Sequence, residues 1–131
     1  MKIDHIALWV KDLEGMRNFY LKYFECESGE RYENPTTGFS SFFIRFADGA
    51  RIELMHRKNI AAHRPNDSAG WAHLAITVGA APDVDKLTTR MQQDGFTIES
   101  FPRITGDGYY ESVVLDPEGN RLELVAASKF E

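Results

Sequence analysis

Asp48-Gly49-Ala50-Arg51-Ile52-Glu53-Leu54 returns seventy residues later as Glu118-Gly119-Asn120-Arg121-Leu122-Glu123-Leu124, and this repetition decides how the chain is read. Upstream, His5-Ile6-Ala7-Leu8-Trp9-Val10 returns as His73-Leu74-Ala75-Ile76-Thr77-Val78, at an offset of 68. Between the two pairs lie comparable helical stretches, opening near Asp12 and Asp83 at an offset of 71. Three pairs in the same order and at nearly constant spacing define a duplicated module.

Each copy reads as βαβββ. Residues 2–10 and 71–79 carry the apolar, β-branched pattern of strands. Asp12 caps a helix whose Leu13, Met16, Phe19, Tyr20, Tyr23 and Phe24 fall on one broad apolar face. Pro82 and Asp83 open the second helix, with Val84, Leu87 and Met91 facing inward and Gly95 as its stop. Strands are expected at 28–34, 39–47 and 50–57, and again at 96–103, 109–115 and 120–127. The turns Ala47-Asp48-Gly49 and Asp116-Pro117-Glu118-Gly119 suit hairpins. The polar stretch 58–70, with Asn59, Pro65, Asn66, Asp67, Ser68 and Gly70, reads as the linker. The fold class is α+β, a single domain over 1–131 built from module 1–57, linker 58–70 and module 71–131. Each module alone is short enough to bury only about 60% of its unfolded surface, so the two must pack, within or between chains.

Composition narrows the function. Of 131 residues 43% are hydrophobic, and 15 Lys+Arg stand against 20 Asp+Glu, a net charge of −5 that argues against nucleic acid as a partner. No apolar run reaches the length of a membrane span, and Met1-Lys2-Ile3-Asp4-His5 lacks a signal-peptide pattern. Cys26 is the single cysteine, so no intrachain disulfide forms and a cytoplasmic setting is expected. Glu25 and Glu27 flank Cys26 and are expected to raise its pKa, against a nucleophilic role.

The repeat places chemistry symmetrically. Alternation along a strand puts His5 on one face with Ala7 and Trp9, and Glu53 with Arg51 and Met55. His73 and Glu123 take the matching places in the second copy. Two imidazoles and two carboxylates form a ligand set for a divalent metal of borderline hardness. Burying them without a metal is costly, because unpaired carboxylates lose their hydration. His56 points away from the Glu53 face and His63 sits in the linker; both are expected to be surface groups.

With these four residues, the opening His5-Ile6-Ala7, the approach Gly70-Trp71-Ala72-His73 and the run Asp116 to Leu124, the chain resembles the vicinal oxygen chelate superfamily, and within it glyoxalase I (lactoylglutathione lyase). The resemblance covers essentially the whole chain. It implies paired βαβββ modules whose sheets curve around a metal-holding cavity. It also implies a homodimer in which His5 and Glu53 of one chain meet His73 and Glu123 of the other. The donor set suits Zn, Ni, Co, Mn or Fe, and of these Ni, Co or Zn is expected. The implied reaction isomerises a hemithioacetal of a 2-oxoaldehyde and glutathione, or another thiol, through an enediolate. Glu123 is then the base and Glu53 its symmetric counterpart. Two positions depart from the pattern. Where glyoxalase I sequences hold an Arg four residues after the first ligand, this chain has Trp9, and where they hold an Asn four residues after the first Glu ligand, it has Arg57. Trp9, Met55 and Arg57 are therefore expected to bind substrate, Arg57 through a carboxylate or phosphate.

Related chemistries compete. Acyl-CoA epimerases of the superfamily hold Gln where this chain has Glu53. Extradiol-type dioxygenases and fosfomycin-type thiol transferases use only the counterparts of His5, His73 and Glu123. Drug-sequestering proteins of bleomycin-resistance type are non-catalytic and lack the ligands.

Overall fold

The computed structural model describes residues 1–129. Eleven elements follow in order. The first half holds β1 (His5–Trp9), α1 (Leu13–Tyr23), β2 (Glu27–Ser28), β3 (Tyr32–Asn34), β4 (Phe39–Arg45) and β5 (Arg51–His56). The second holds β6 (Leu74–Gly79), α2 (Ala81–Gln93), β7 (Ile98–Ile104), β8 (Tyr110–Leu115) and β9 (Arg121–Ala126). The chain divides into two compact units, Met1–Ala62 and the segment from His63 onward. The class is α+β, with one mixed sheet in each unit. Among the described residues no helix is long and apolar enough to cross a membrane.

In the first unit the sheet runs β1-β5-β4-β2, with β3 also on β4. β1 lies parallel to β5, a pairing that needs a long crossover, and α1 supplies it. Asp12 caps that helix by accepting from the Gly15 amide at 2.9 Å. Leu13, Met16, Phe19, Tyr20 and Tyr23 are buried as the periodicity predicts. The helix packs on β4 and β5, whose inward residues Ile44, Ile52 and Leu54 are buried as well. Full burial of each such aliphatic side chain contributes roughly 1.5–3 kcal/mol.

The strand expected over 28–34 is broken into β2 and β3. Its register against β4 explains the break: Ser28 pairs with Ile44 and Tyr32 with Ser41, leaving three residues opposite two. One residue too many ends regular pairing, as in a bulge.

In the second unit the order is β6-β9-β8-β7, with β6 parallel to β9. Pro102 has no amide hydrogen to donate, and it sits on the edge strand β7. The Asp83 carboxylate accepts from the Ala80 amide at 2.8 Å and opens α2. Gly95, at φ +93°, closes it, with Phe96 N–H bonded to the Met91 carbonyl and Gly95 N–H to that of Gln92. The inward set is Val84, Thr88 and Met91. Leu87, expected inward, is only half-buried, and Thr88 is buried in addition. A buried hydroxyl needs partners, and Thr88 has two, the Val84 carbonyl at 2.6 Å and the Ser112 hydroxyl at 2.7 Å.

Candidate metal centre

The register of each sheet sets its His beside its Glu. Ala7 pairs with Glu53 across β1 and β5, and Ala75 pairs with Glu123 across β6 and β9. Each His lies two residues before that alanine, on the same face. In the first unit His5 Nε2 stands 3.6 Å from Glu53 Oε1. In the second, His73 Nε2 stands 2.8 Å from Glu123 Oε1. The imidazoles are 38% and 41% exposed and the carboxylates 15% and 16%, so the two pairs match in environment as well as position. Among the described residues no three His, Cys, Asp or Glu side chains gather as a metal cluster. The four candidate donors stand as two pairs, one in each unit.

These donors fit a divalent metal. An ion bound to both an imidazole nitrogen and a carboxylate oxygen, each at about 2.1 Å, holds the two donors about 3 Å apart. The observed separations lie on either side of that value. His5 is also oriented for the task. Its Nδ1 lies 2.7 Å from Asp4 Oδ2 and donates to that carboxylate, which leaves Nε2 as the ring nitrogen facing Glu53. Arg51 Nη2 donates to the same Asp4 oxygen at 2.6 Å. The hydrogen bond from His5 and the charge of Arg51 hold the Asp4 carboxyl below the usual range. In the second unit Ala72 stands before His73, and Arg121 instead binds Glu99 and Asp67.

Two residues that shape the pairs were not anticipated. Asp4 is one, although its place next to His5 was visible in the sequence. The other is Glu111, buried on β8 and diagonal to Glu123. Burial, followed by the charge of Glu123 and a hydrogen bond to it, pushes the Glu111 carboxyl up. The repeat hid Glu111, because the matching residue of the first unit is Ser41.

Trp9 pairs with Met55 across the strands and is 44% exposed. The Arg57 guanidinium lies over its ring, 4.6 Å from the centroid. His56 is tied down rather than free at the surface, its Nδ1 2.8 Å from the Val10 carbonyl. His63 lies 2.8 Å from the Asn120 side chain. Cys26 donates its thiol to the Tyr20 carbonyl, and its pKa is raised by burial rather than by the flanking glutamates. A groove of about 270 Å³ between α2 and β7 includes Thr88, Phe101 and Tyr110. It opens on the helix side of the sheet, opposite to Glu123.

The Glyoxalase/Bleomycin resistance protein/Dioxygenase superfamily matches residues 2–124. The uncharacterized protein YqjT of Bacillus subtilis (strain 168) is 27% identical over 131 residues, covering 96% of this chain and 99% of its own. The lactoylglutathione lyase of Escherichia coli O157:H7 is 28% identical over 129 residues, covering 95% of this chain and 92% of its own. Among solved structures, glyoxalase I from Zea mays superposes with a TM-score of 0.79 at 20% identity. That match covers 98% of this chain but only 45% of the maize chain, so it speaks for the fold alone.

Proposed function

The chain belongs to the Glyoxalase/Bleomycin resistance protein/Dioxygenase superfamily, and from that premise we propose that it is a metal-dependent isomerase of glyoxalase I type. Its substrate is a hemithioacetal of a 2-oxoaldehyde and a thiol, glutathione or another, and its product a 2-hydroxyacyl thioester. The observation that carries this reading is the matched placement of two His–Glu pairs, His5 with Glu53 and His73 with Glu123, at equivalent register in two sheets.

All four side chains act as ligands, for Ni, Co or Zn, and the two pairs are brought together in a homodimer. Modules 1–57 and 71–131 with linker 58–70 serve as one domain. The lone Cys26 suits a reducing, cytoplasmic setting. The bound ion supplies Lewis-acid stabilisation of the oxyanions that develop as the carbonyl enolises. The protein's own groups do the rest. Glu123 removes the proton from the carbon bearing the thiol, giving an enediolate, and returns it to the neighbouring carbon. Glu53 stands at the equivalent place and serves the opposite face. His5 and His73 present Nε2, and Asp4 keeps His5 in the required tautomer.

The test is turnover of the glutathione–methylglyoxal hemithioacetal with Zn, Ni, Co and Mn, in wild type and Glu123→Gln. Activity that appears only with metal and falls at least about 100-fold in the variant supports the proposal. Undiminished turnover in metal-free protein refutes it.

A further inference from the structure

The face of the first sheet that carries His5 and Glu53 continues, at its other end, into an exposed aromatic surface. Trp9 lies four residues beyond His5 on β1, about 13 Å along the strand. Phe39 packs edge-on against Trp9 with centroids 6.2 Å apart, and Tyr32 lies 6.1 Å from Phe39. Met55 flanks Trp9 from β5. Trp9 and Tyr32 remain 44% and 54% exposed, so the patch is a surface and not part of the core. Contiguous exposed aromatic area is uncommon and marks a place where something binds. At its rim Arg57 is stacked on Trp9. A stacked guanidinium keeps its in-plane N–H donors for an anion.

The duplication supplies an internal control. At the equivalent places the second unit holds Thr77 for Trp9, Val125 for Met55 and Ala127 for Arg57. Arg103, which pairs with Glu111 as Tyr32 pairs with Ser41, takes the place of Tyr32. Tyr109 keeps an aromatic ring at the place of Phe39, but the same scaffold forms without Trp9, Met55, Arg57 and Tyr32, and the fold does not demand those four.

We infer that Trp9, Tyr32, Phe39 and Met55 form a platform for a planar, apolar ring, and that Arg57 holds an oxyanion attached to that ring. The substrate class is thus a thiol adduct whose tail ends in an aromatic carboxylate or phosphate, with the reacting carbons lying back along β1 toward His5 and Glu53. This deepens the isomerase reading and rests on it for the position of the reacting carbons. The tail site itself stands on the residues of the first unit.

The test uses metal-free protein, so that the outcome does not depend on turnover. Titration calorimetry with 2-naphthoate, 2-naphthyl phosphate and the neutral 2-naphthamide reads the site directly. At least one anion binds about tenfold tighter than the amide, and Arg57→Gln removes that advantage, as loss of a charge-assisted hydrogen bond does. The stronger anion identifies the carboxylate or the phosphate as the natural group. Trp9→Ala weakens all three probes, and Trp9→Phe retains most of the affinity. Equal binding of anions and amide, or unchanged binding in Arg57→Gln, overturns the inference. So does a wild-type dimer that Trp9→Ala and Tyr32→Ala convert to monomer without altering probe affinity, because the platform is then an interface between copies. Failure of hemithioacetal turnover leaves this result untouched.

Discussion

Replacing Asp4 with Ala removes the group that orients His5, and the consequence for metal binding follows from the geometry. Asp4 Oδ2 lies 2.7 Å from His5 Nδ1 and 2.6 Å from Arg51 Nη2, so one oxygen serves two cationic or donor groups. Because His5 and Arg51 hold its pKa down, Asp4 is ionised throughout the neutral range. Loss of such a partner behind a metal-binding His commonly costs 10- to 100-fold in affinity. Asp4 is 66% exposed and its oxygen is shared, so the effect belongs at the lower end, about tenfold. The Asp4→Asn variant keeps an acceptor oxygen and loses the charge, and it falls between wild type and Ala. Titration calorimetry with Zn or Co at fixed buffer and salt measures this. Raised salt narrows the gap between wild type and Asp4→Asn, since the pair is at the surface. The melting temperature of the metal-free variant stays within about 2 °C of wild type, which excludes a folding defect as the cause. Affinity unchanged within twofold in Asp4→Ala would show that the hydrogen bond does not set the ligand.

Asp116 anchors the β8–β9 turn by accepting from the Glu118 amide, the Asn120 amide and the Asn120 side chain, each at 2.8–2.9 Å. Asp116→Ala leaves those donors unpaired beneath the strand that carries Glu123, and costs about 2–4 kcal/mol in urea unfolding. A loss near zero would mean that water replaces the carboxylate. Glu111 gives a pH-dependent result. Its folded pKa is raised above the ordinary 4.5, chiefly by burial. The native state therefore holds more protons than the unfolded chain above that value, and stability falls as pH rises through the window. In metal-free protein Glu111→Gln raises the melting temperature by a few degrees at pH above neutrality, and the gain vanishes in acid below the ordinary glutamate range. A gain that persists in acid contradicts the burial argument.

The duplicated strand–helix pattern was legible because each element carries its own periodicity and its own stop: Asp12 at the start of α1, Gly95 at the end of α2, Gly49 and Gly119 in the turns. The break between β2 and β3 was not, because it depends on a one-residue mismatch with a partner strand. Thr88 was missed for a related reason. Its burial depends on Ser112, a hydroxyl twenty-four residues away that turns a polar residue into an inward one. The four candidate ligands were visible because the repeat doubled the signal of each. Asp4 and Glu111 escaped the same argument because neither has a counterpart, Ala72 and Ser41 standing in their places.

Metal stoichiometry in half-site variants tests whether the two His–Glu pairs make up one ligand set shared between copies. Purified His5→Ala and His73→Ala proteins are each titrated with Zn or Co, then unfolded, mixed in equal amounts, refolded and titrated again. Wild type is expected to bind tightly, and either variant alone to lose that binding. In the mixture about a quarter of the sites return, because half of a randomly paired population of symmetric dimers is mixed and each mixed dimer has one intact site of two. Tight binding retained in either variant alone, with full wild-type stoichiometry, would contradict a shared set.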